Sequence, residues 1–309
     1  MIAFGCSIIS PDAYVQYAEP GLERVRESDS RILAHAAANS IARGLNVMME
    51  RAAALDGLEA LVVVHQDVEI VDPEFCAKVR AALRDPAVGV VGCVGALGTR
   101  DMAWWDGRLS WTSAPYRYSE FGGGELDWID DGSAASRAPG EVDSLYGVVL
   151  VLSPWAVQNL RLDESIGLLH GYDFDLCHQA RAAGRKVLAA DLKVVHHHEL
   201  ELIGQVEMWV EAHMRMAATL GAGPSAGEDE EAYWKARARR AEADAAAARL
   251  LAASRLLQAG ATMQVQERGL ETVLGSRSWK LTQPLRRAGL LARDARGRGR
   301  RRRTPRGQL

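Results

Sequence analysis

The stretch Leu61-Val62-Val63-Val64-His65-Gln66-Asp67-Val68 constrains this chain more than any other. Its apolar residues, three of them β-branched, make a short buried strand, expected to be central and parallel in a larger sheet. Side chains alternate along a strand, so one continued through Val68 points His65 and Asp67 one way and Gln66 the other. Open α/β sheets bind ligands beyond the carboxyl ends of their strands. An imidazole and a carboxylate at that end suit a divalent cation holding a diphosphate. A polar strand end that merely faces water is the plainer reading of the same residues.

The rest of the chain alternates strand and helix signals. Residues 2–9 read as a first strand, stopped by Ser10-Pro11-Asp12. Pro20-Gly21 signals a turn, and residues 24–32 are polar and ambiguous. Apolar residues at helical spacing run over 32–55. Within them Asn39 to Asn46 is odd for a helix interior, and Asn39 as an N-cap is one explanation. A helix over 73–83 follows, with Asp72 as N-cap and Pro73 at its first position. Residues 88–95 and 148–152 read as further strands, the second leading through Ser153-Pro154 into a helix. Residues 96–141 are too long for a mere connector. Their aromatic residues, Trp104, Trp105, Trp111 and Trp128 among them, suit either stacking on sugar rings or a small β-hairpin. Gly171-Tyr172-Asp173-Phe174-Asp175 leads into a helix through Ala183, closed by Gly184. Short strands over 186–190 and 193–195 then run into His196-His197-His198, and residues 202–220 form an amphipathic helix.

A length of 309 residues holds one large domain or two small ones. The formal charge of −3 hides an asymmetry: residues 276–309 carry 12 Lys and Arg against Asp294 alone, so +11 sits in the tail and −14 in residues 1–275. The expected organisation is a globular domain over 1–220, a linker over 221–231 and a helical segment over 232–274. A basic, largely disordered tail follows over 275–309. Leu256, Met263 and Leu270 recur every seven residues but Gly260 interrupts them, which fits a weak, self-associating coiled coil or a solvated helix. Cys6, Cys76, Cys93 and Cys177 form no Cys-x-x-Cys pair, so buried thiols in a reducing compartment are expected. With no basic leader before the first strand and no apolar run of membrane-spanning length, the expectation is a cytoplasmic protein.

Taken in order, several motifs resemble the family 2 glycosyltransferases of GT-A fold, over roughly residues 1–215. They are Asn39 to Asn46, His65-Gln66-Asp67-Val68, the 88–95 strand with Trp104-Trp105-Asp106-Gly107, Val142-Asp143, and Gly171-Tyr172-Asp173-Phe174-Asp175-Leu176-Cys177. The likeness is greatest to a bacterial branch with His-Gln-Asp-Val in place of Asp-x-Asp. It implies a Rossmann-like α/β fold, with a mixed, mainly parallel sheet and helices on both faces. The implied reaction is inverting transfer of a sugar from a nucleoside-diphosphate sugar to a hydroxyl of a cell-surface glycan or lipid-linked acceptor. Asp67, His65 and His196 would be the ligands of Mn²⁺ or Mg²⁺, with a solvated strand end as the alternative for the triple histidine. Asp173 would be the general base, kept ionised by the helix N-terminus beside it, and Asp175 a simple helix-start residue. Ser7, Asn39, Asp67, Asp143, Trp105 and Tyr172 would bind donor or acceptor, although Asp143 also reads as a turn cap.

The chain departs from the family pattern in two places. Tyr172 stands where a Glu is common, and the usual second strand with Asp-Gly-Ser is not legible. The segment Ser278-Trp279-Lys280-Leu281-Thr282-Gln283-Pro284-Leu285-Arg286 resembles one found beyond bacterial polysaccharide glycosyltransferase domains. Its Trp and cations suit a peripheral membrane contact at the inner face of the cell membrane, and the Arg-rich tail equally suits any polyanion. Two other classes remain open: a nucleotidyltransferase on a similar sheet, and a scaffold acting through the helical segment and tail. Against the former, no Gly-rich phosphate loop with a basic residue follows the first strand.

Overall fold

The computed structural model describes residues 1–36, 40–99, 101–103, 108–119, 124–126, 139–198, 205–220, 229–276 and 279, and places the apolar run in the strand Ala60–Val64, buried throughout. Taking each of these valines out of water contributes about 1.5–3 kcal/mol. The strand is central in a seven-stranded sheet whose order is Gly140–Glu141, Lys186–Ala189, Val88–Gly92, Val149–Leu152, Ala60–Val64, Ile2–Ser7, Arg31–His35. Ala60–Val64 pairs in parallel with Ile2–Ser7 and antiparallel with Val149–Leu152, so it is parallel along one edge only. Five of the seven strands point one way; Val149–Leu152 and Gly140–Glu141 run against them. The sheet is mixed and mainly parallel, as expected.

Alternation along the strands divides the core into two faces. Ile2, Phe4, Val62 and Val64 pack with Leu22, Phe75 and Val79 from the helices Glu19–Val25 and Phe75–Ala82. Ala3, Leu61, Val63, Leu150 and Leu152 pack with Leu45, Met48, Met49 and Leu176 from the helices Ile41–Ala53 and Tyr172–Ala182. Helices thus cover both faces, and all four cysteines are buried free thiols.

Several local expectations are corrected. Residues 31–35 are a strand rather than the start of a helix, because Arg31–His35 completes the sheet edge beside Ile2–Ser7. The helix begins at Ile41, and its N-cap is Ser40, whose Oγ accepts from the Arg43 amide at 3.2 Å. Pro20-Gly21 is no turn but the first stretch of the helix Glu19–Val25. Asp72 starts a turn, accepting from the Glu74 amide at 3.0 Å, and the helix itself starts at Phe75. Residues 88–95 split into Val88–Gly92 and Val94–Leu97. In the long connection Tyr116–Tyr118 and Gly124–Leu126 form an antiparallel hairpin.

The compact unit runs from Met1 to Ser254. It includes the first half of the long helix Glu230–Gly275, whose Ala245 and Ala248 are buried with Trp209 and Met216 of the helix Val206–Thr219. Arg255–Leu309 forms a second unit, of which the described part is helix to Gly275. Among the described residues no helix is long and apolar enough to cross a membrane.

Candidate active site

The strand Ala60–Val64 does not continue through Val68. His65-Gln66-Asp67 is a turn, and the chain resumes as Val68–Ile70 in another sheet, antiparallel to Val194–His197. That reversal fixes the site. It sets Asp67 beside the histidine strand, where the His197 amide donates to the Asp67 carbonyl at 2.8 Å. Gln66 does not point away: its Oε1 accepts from the amides of both Ile9 and Ser10 at 2.7 Å, tying the end of the first strand to the turn.

One cavity of about 330 Å³ gathers these strand tips with the first turn of Tyr172–Ala182. Ser7, His65, Asp67, Tyr172, Asp173 and His196 all line it. Alternation sorts the triple histidine: His196 and His198 face the cavity, whereas His197 meets Glu69 at 3.1 Å and stacks on Tyr17 with ring centres 4.0 Å apart. Asp143 does not line the cavity. Its carboxylate accepts from the Gly98 amide at 2.6 Å and pairs with Arg181 at 3.0 Å. Asn39 and Trp105 lie outside the described residues. Met102, Tyr146, Gly147, His170, Gln205 and Trp209 also line the cavity and were not among the residues expected there. The one local signal for them was the Trp on the helix expected over 202–220.

His65, Asp67 and His196 each bring a ligating atom within 4.8 Å of the others, and His196 Nε2 lies 3.4 Å from Asp67 Oδ2. Burial would raise the Asp67 carboxyl, but the His196 contact and the neighbouring His65 and His198 outweigh it and hold Asp67 well below the usual carboxylate range. Burial pushes His65 down to about 4 and also lowers His196, so both imidazoles are neutral at pH 7. Neutral imidazoles beside an ionised carboxylate are a donor set suited to a divalent transition ion. His65 Nε2 is hydrogen-bonded to the Tyr172 hydroxyl, which orients the ring.

Asp173 accepts from the Gly147 amide at 3.0 Å and from the Phe174 amide at 2.9 Å. Even so, burial raises its carboxyl to about 6, so the expectation that the helix N-terminus governs it is corrected: desolvation wins. Gly171, at φ +86°, is the N-cap position that swings Tyr172 and Asp173 into the cleft; that left-handed backbone is open to glycine and costly for other residues. Asp175 is structural. Buried, it accepts from the Asp163 amide at 3.1 Å and from Gln179 at 2.9 Å.

Streptomycin biosynthesis protein StrF of Streptomyces griseus is 30% identical over 202 residues, covering 64% of this chain and 66% of that protein, just short of two thirds of its length. Among solved structures, mannosyltransferase PcManGT of Pyrobaculum calidifontis, in complex with GDP-Man and Mn²⁺, aligns at TM-score 0.44 and 12% identity, over 91% of this chain and 81% of that one. GalNAc-T7 with UDP, GalNAc and Mn²⁺ aligns at TM-score 0.47 and 9% identity, over 71% of this chain and 47% of that one. A family profile described as "Glycosyltransferase like family" matches residues 17–215, which hold Asp67, Asp173 and His196 alike, and the chain belongs to that glycosyltransferase family.

Proposed function

We propose that this glycosyltransferase transfers a sugar with inversion from a nucleoside-diphosphate sugar to an acceptor hydroxyl, with Asp173 as general base. The observation that carries the reading is a single cavity lined both by the His65, Asp67 and His196 group and by Asp173. His65, Asp67 and His196 would hold Mn²⁺ or Mg²⁺. A bound divalent ion there supplies charge neutralisation for the departing diphosphate.

Asp173 takes the proton of the acceptor hydroxyl as the oxygen bonds to the anomeric carbon. The bond from that carbon to the diphosphate oxygen breaks, and the nucleoside diphosphate leaves with the electron pair. Attack opposite to the leaving group inverts the anomeric centre. A positioned carboxylate typically contributes 10²–10⁴-fold. Tyr172 acts through His65, holding the ring in its ligating orientation. Ser7 lines the same cavity, as do Trp209 and its edge-on neighbour His170, ring centres 5.6 Å apart.

For the acceptor we propose a cell-surface glycan or lipid-linked hydroxyl at the cytoplasmic side of the membrane. The tail charge of +11 over residues 276–309 suits an anionic headgroup layer. Turnover of nucleotide sugars with Mn²⁺, scored for released nucleoside diphosphate and for product anomer by NMR, tests the reading. Asp67→Asn and Asp173→Asn, each verified as folded, should each abolish turnover; retained turnover in both, or a retained anomer, refutes it.

A further inference from the structure

A second group of ligating side chains converges outside the metal-and-base constellation. It joins Asp101, in the segment after the strand Val94–Leu97, to His213 on the helix Val206–Thr219 and Asp244 on the helix Glu230–Gly275. Their ligating atoms all lie within 4.8 Å of one another. His213 is 1% exposed, and neither ring nitrogen has a hydrogen-bond partner among the described residues. Its Nε2 faces both carboxylates, 3.5 Å from Asp101 Oδ2 and 3.6 Å from Asp244 Oδ2.

Those separations are long for charge-assisted hydrogen bonds, which run to about 2.7–2.9 Å. They come close to the edge of a coordination tetrahedron: bonds of about 2.0–2.1 Å to Zn²⁺ space the ligand atoms about 3.3–3.4 Å apart. The outer contacts are ordered in the same sense. Asp101 Oδ1 accepts from the Ala103 amide at 3.0 Å, and Asp244 Oδ1 accepts from Arg240 at 2.7 Å, so on both residues the Oδ2 atom turns toward the imidazole. Tying one carboxylate oxygen while aiming the other is how outer contacts orient metal ligands.

We propose that Asp101, His213 and Asp244 form a second cation site, of the Zn²⁺ type with one nitrogen and two carboxylate ligands, distinct from the site at Asp67. Asp101 neighbours Met102, and His213 lies one helical turn from Trp209; both neighbours line the active-site cavity. An ion here therefore fastens the helix that starts at Glu230 to one wall of the cleft. A plain ion pair, with His213 protonated between two carboxylates, explains the same convergence without metal and is the rival that the test must separate.

The test uses the full chain, stripped with a chelator and dialysed against Zn²⁺, with bound metal measured by elemental analysis. The Asp67→Asn chain, whose cleft site is disabled, should retain one Zn²⁺ per chain and a rise in Tm on adding Zn²⁺. Both should disappear when Asp244→Asn is added. Should that variant fail to fold, Asp101→Asn makes the same comparison. Co²⁺ substituted into the Asp67→Asn chain should give the intense visible absorption of a tetrahedral site. Absence of bound Zn²⁺ from the Asp67→Asn chain, or Zn²⁺ retained unchanged with both Asp101 and Asp244 replaced, overturns the proposal and leaves the reading of the cleft untouched.

Discussion

Adding a single methyl at Gly147 should disable the site without touching a reacting group. A Cβ built on Gly147 would lie 2.5 Å from Tyr172 Cζ and 2.7 Å from Cε2, and closer still to the hydroxyl. Carbon atoms in contact settle about 3.5–4.0 Å apart, so in Gly147→Ala the Tyr172 ring must retreat by about 1 Å. Tyr172 is only 7% exposed, and its hydroxyl holds His65. Overpacking of this kind costs about 1–3 kcal/mol, and a buried hydroxyl left unpaired adds about 1–3 kcal/mol. A loss of about 2–6 kcal/mol in urea unfolding at unchanged m-value is therefore expected. Turnover should fall about 10²-fold, the usual consequence of a displacement of about 1 Å in a positioned group. Since the Gly147 amide also donates to Asp173, the change reaches both His65 and Asp173. A double-mutant cycle isolates the cause. In a Tyr172→Ala background, itself costly because it opens a cavity, Gly147→Ala should be neutral or favourable, a coupling of at least about 1.5 kcal/mol. Additive costs would refute the argument, because the methyl would then be meeting something other than the Tyr172 ring.

Four more outcomes follow from the structure. Asp173 must be ionised to accept a proton and its carboxyl stands at about 6, so kcat/KM at saturating Mn²⁺ should fall about tenfold per pH unit below 6, whereas a carboxyl at 3.8 would leave the profile flat down to pH 5. The same raised value makes the folded chain bind the proton more tightly than the unfolded chain between about pH 4 and 6, so this group's contribution to stability declines through that window, by about 3 kcal/mol at most, and is level above it; calorimetry of wild type against Asp173→Asn measures it. Asp72, 2% exposed, pairs with Lys78 at 2.6 Å and accepts from the Glu74 and Lys193 amides, so Asp72→Ala should cost about 2–4 kcal/mol in urea unfolding. A chain ending at residue 254 should unfold as one cooperative unit, whereas one ending at 220 uncovers the face of Trp209 and Met216 that Ala245 and Ala248 bury, and should show a lower Tm and bind a hydrophobic dye.

The parts of this fold that were legible are those whose pattern is local. Val62-Val63-Val64 and Val149–Leu152 declare themselves as strands because β-branched runs suit little else. Ser153-Pro154 and Gly184 mark helix ends through backbone chemistry that does not depend on neighbours. What failed depends on tertiary partners. Residues 31–35 are apolar enough for the helix read there, and only pairing with Ile2–Ser7 makes them a strand. Gly21 looks like a turn residue, yet its function is close approach: a Cβ there would sit 2.6 Å from the Ile70 amide nitrogen. The site followed the same division. His65, Asp67, Asp173 and His196 were proposed from residue type and order, and the fold brings all four to one cavity. Asp143 has the right type, but Arg181 and the Gly98 amide occupy it, a fact of packing that no local pattern carries.

The two carboxylates of the cleft show how position decides function more than residue type does. Both Asp67 and Asp173 are desolvated, and desolvation by itself raises each. Asp67 stands 3.4 Å from an imidazole and near two more, and those contacts reverse the sign. Among the described residues the hydrogen-bond partners of Asp173 are backbone amides, and those of Gly147 and Phe174 are too weak to offset the same penalty. The helix N-terminus adds typically 0.3–1 kcal/mol at a surface, less than the roughly 3 kcal/mol by which burial displaces the group. The outcome is one carboxylate that stays an anion across the working pH range and suits a cation. The other is poised near pH 6 and suits a proton in transit. Environments that push like groups apart in this way are how a single cleft assigns an electrostatic task and an acid–base task to the same side chain.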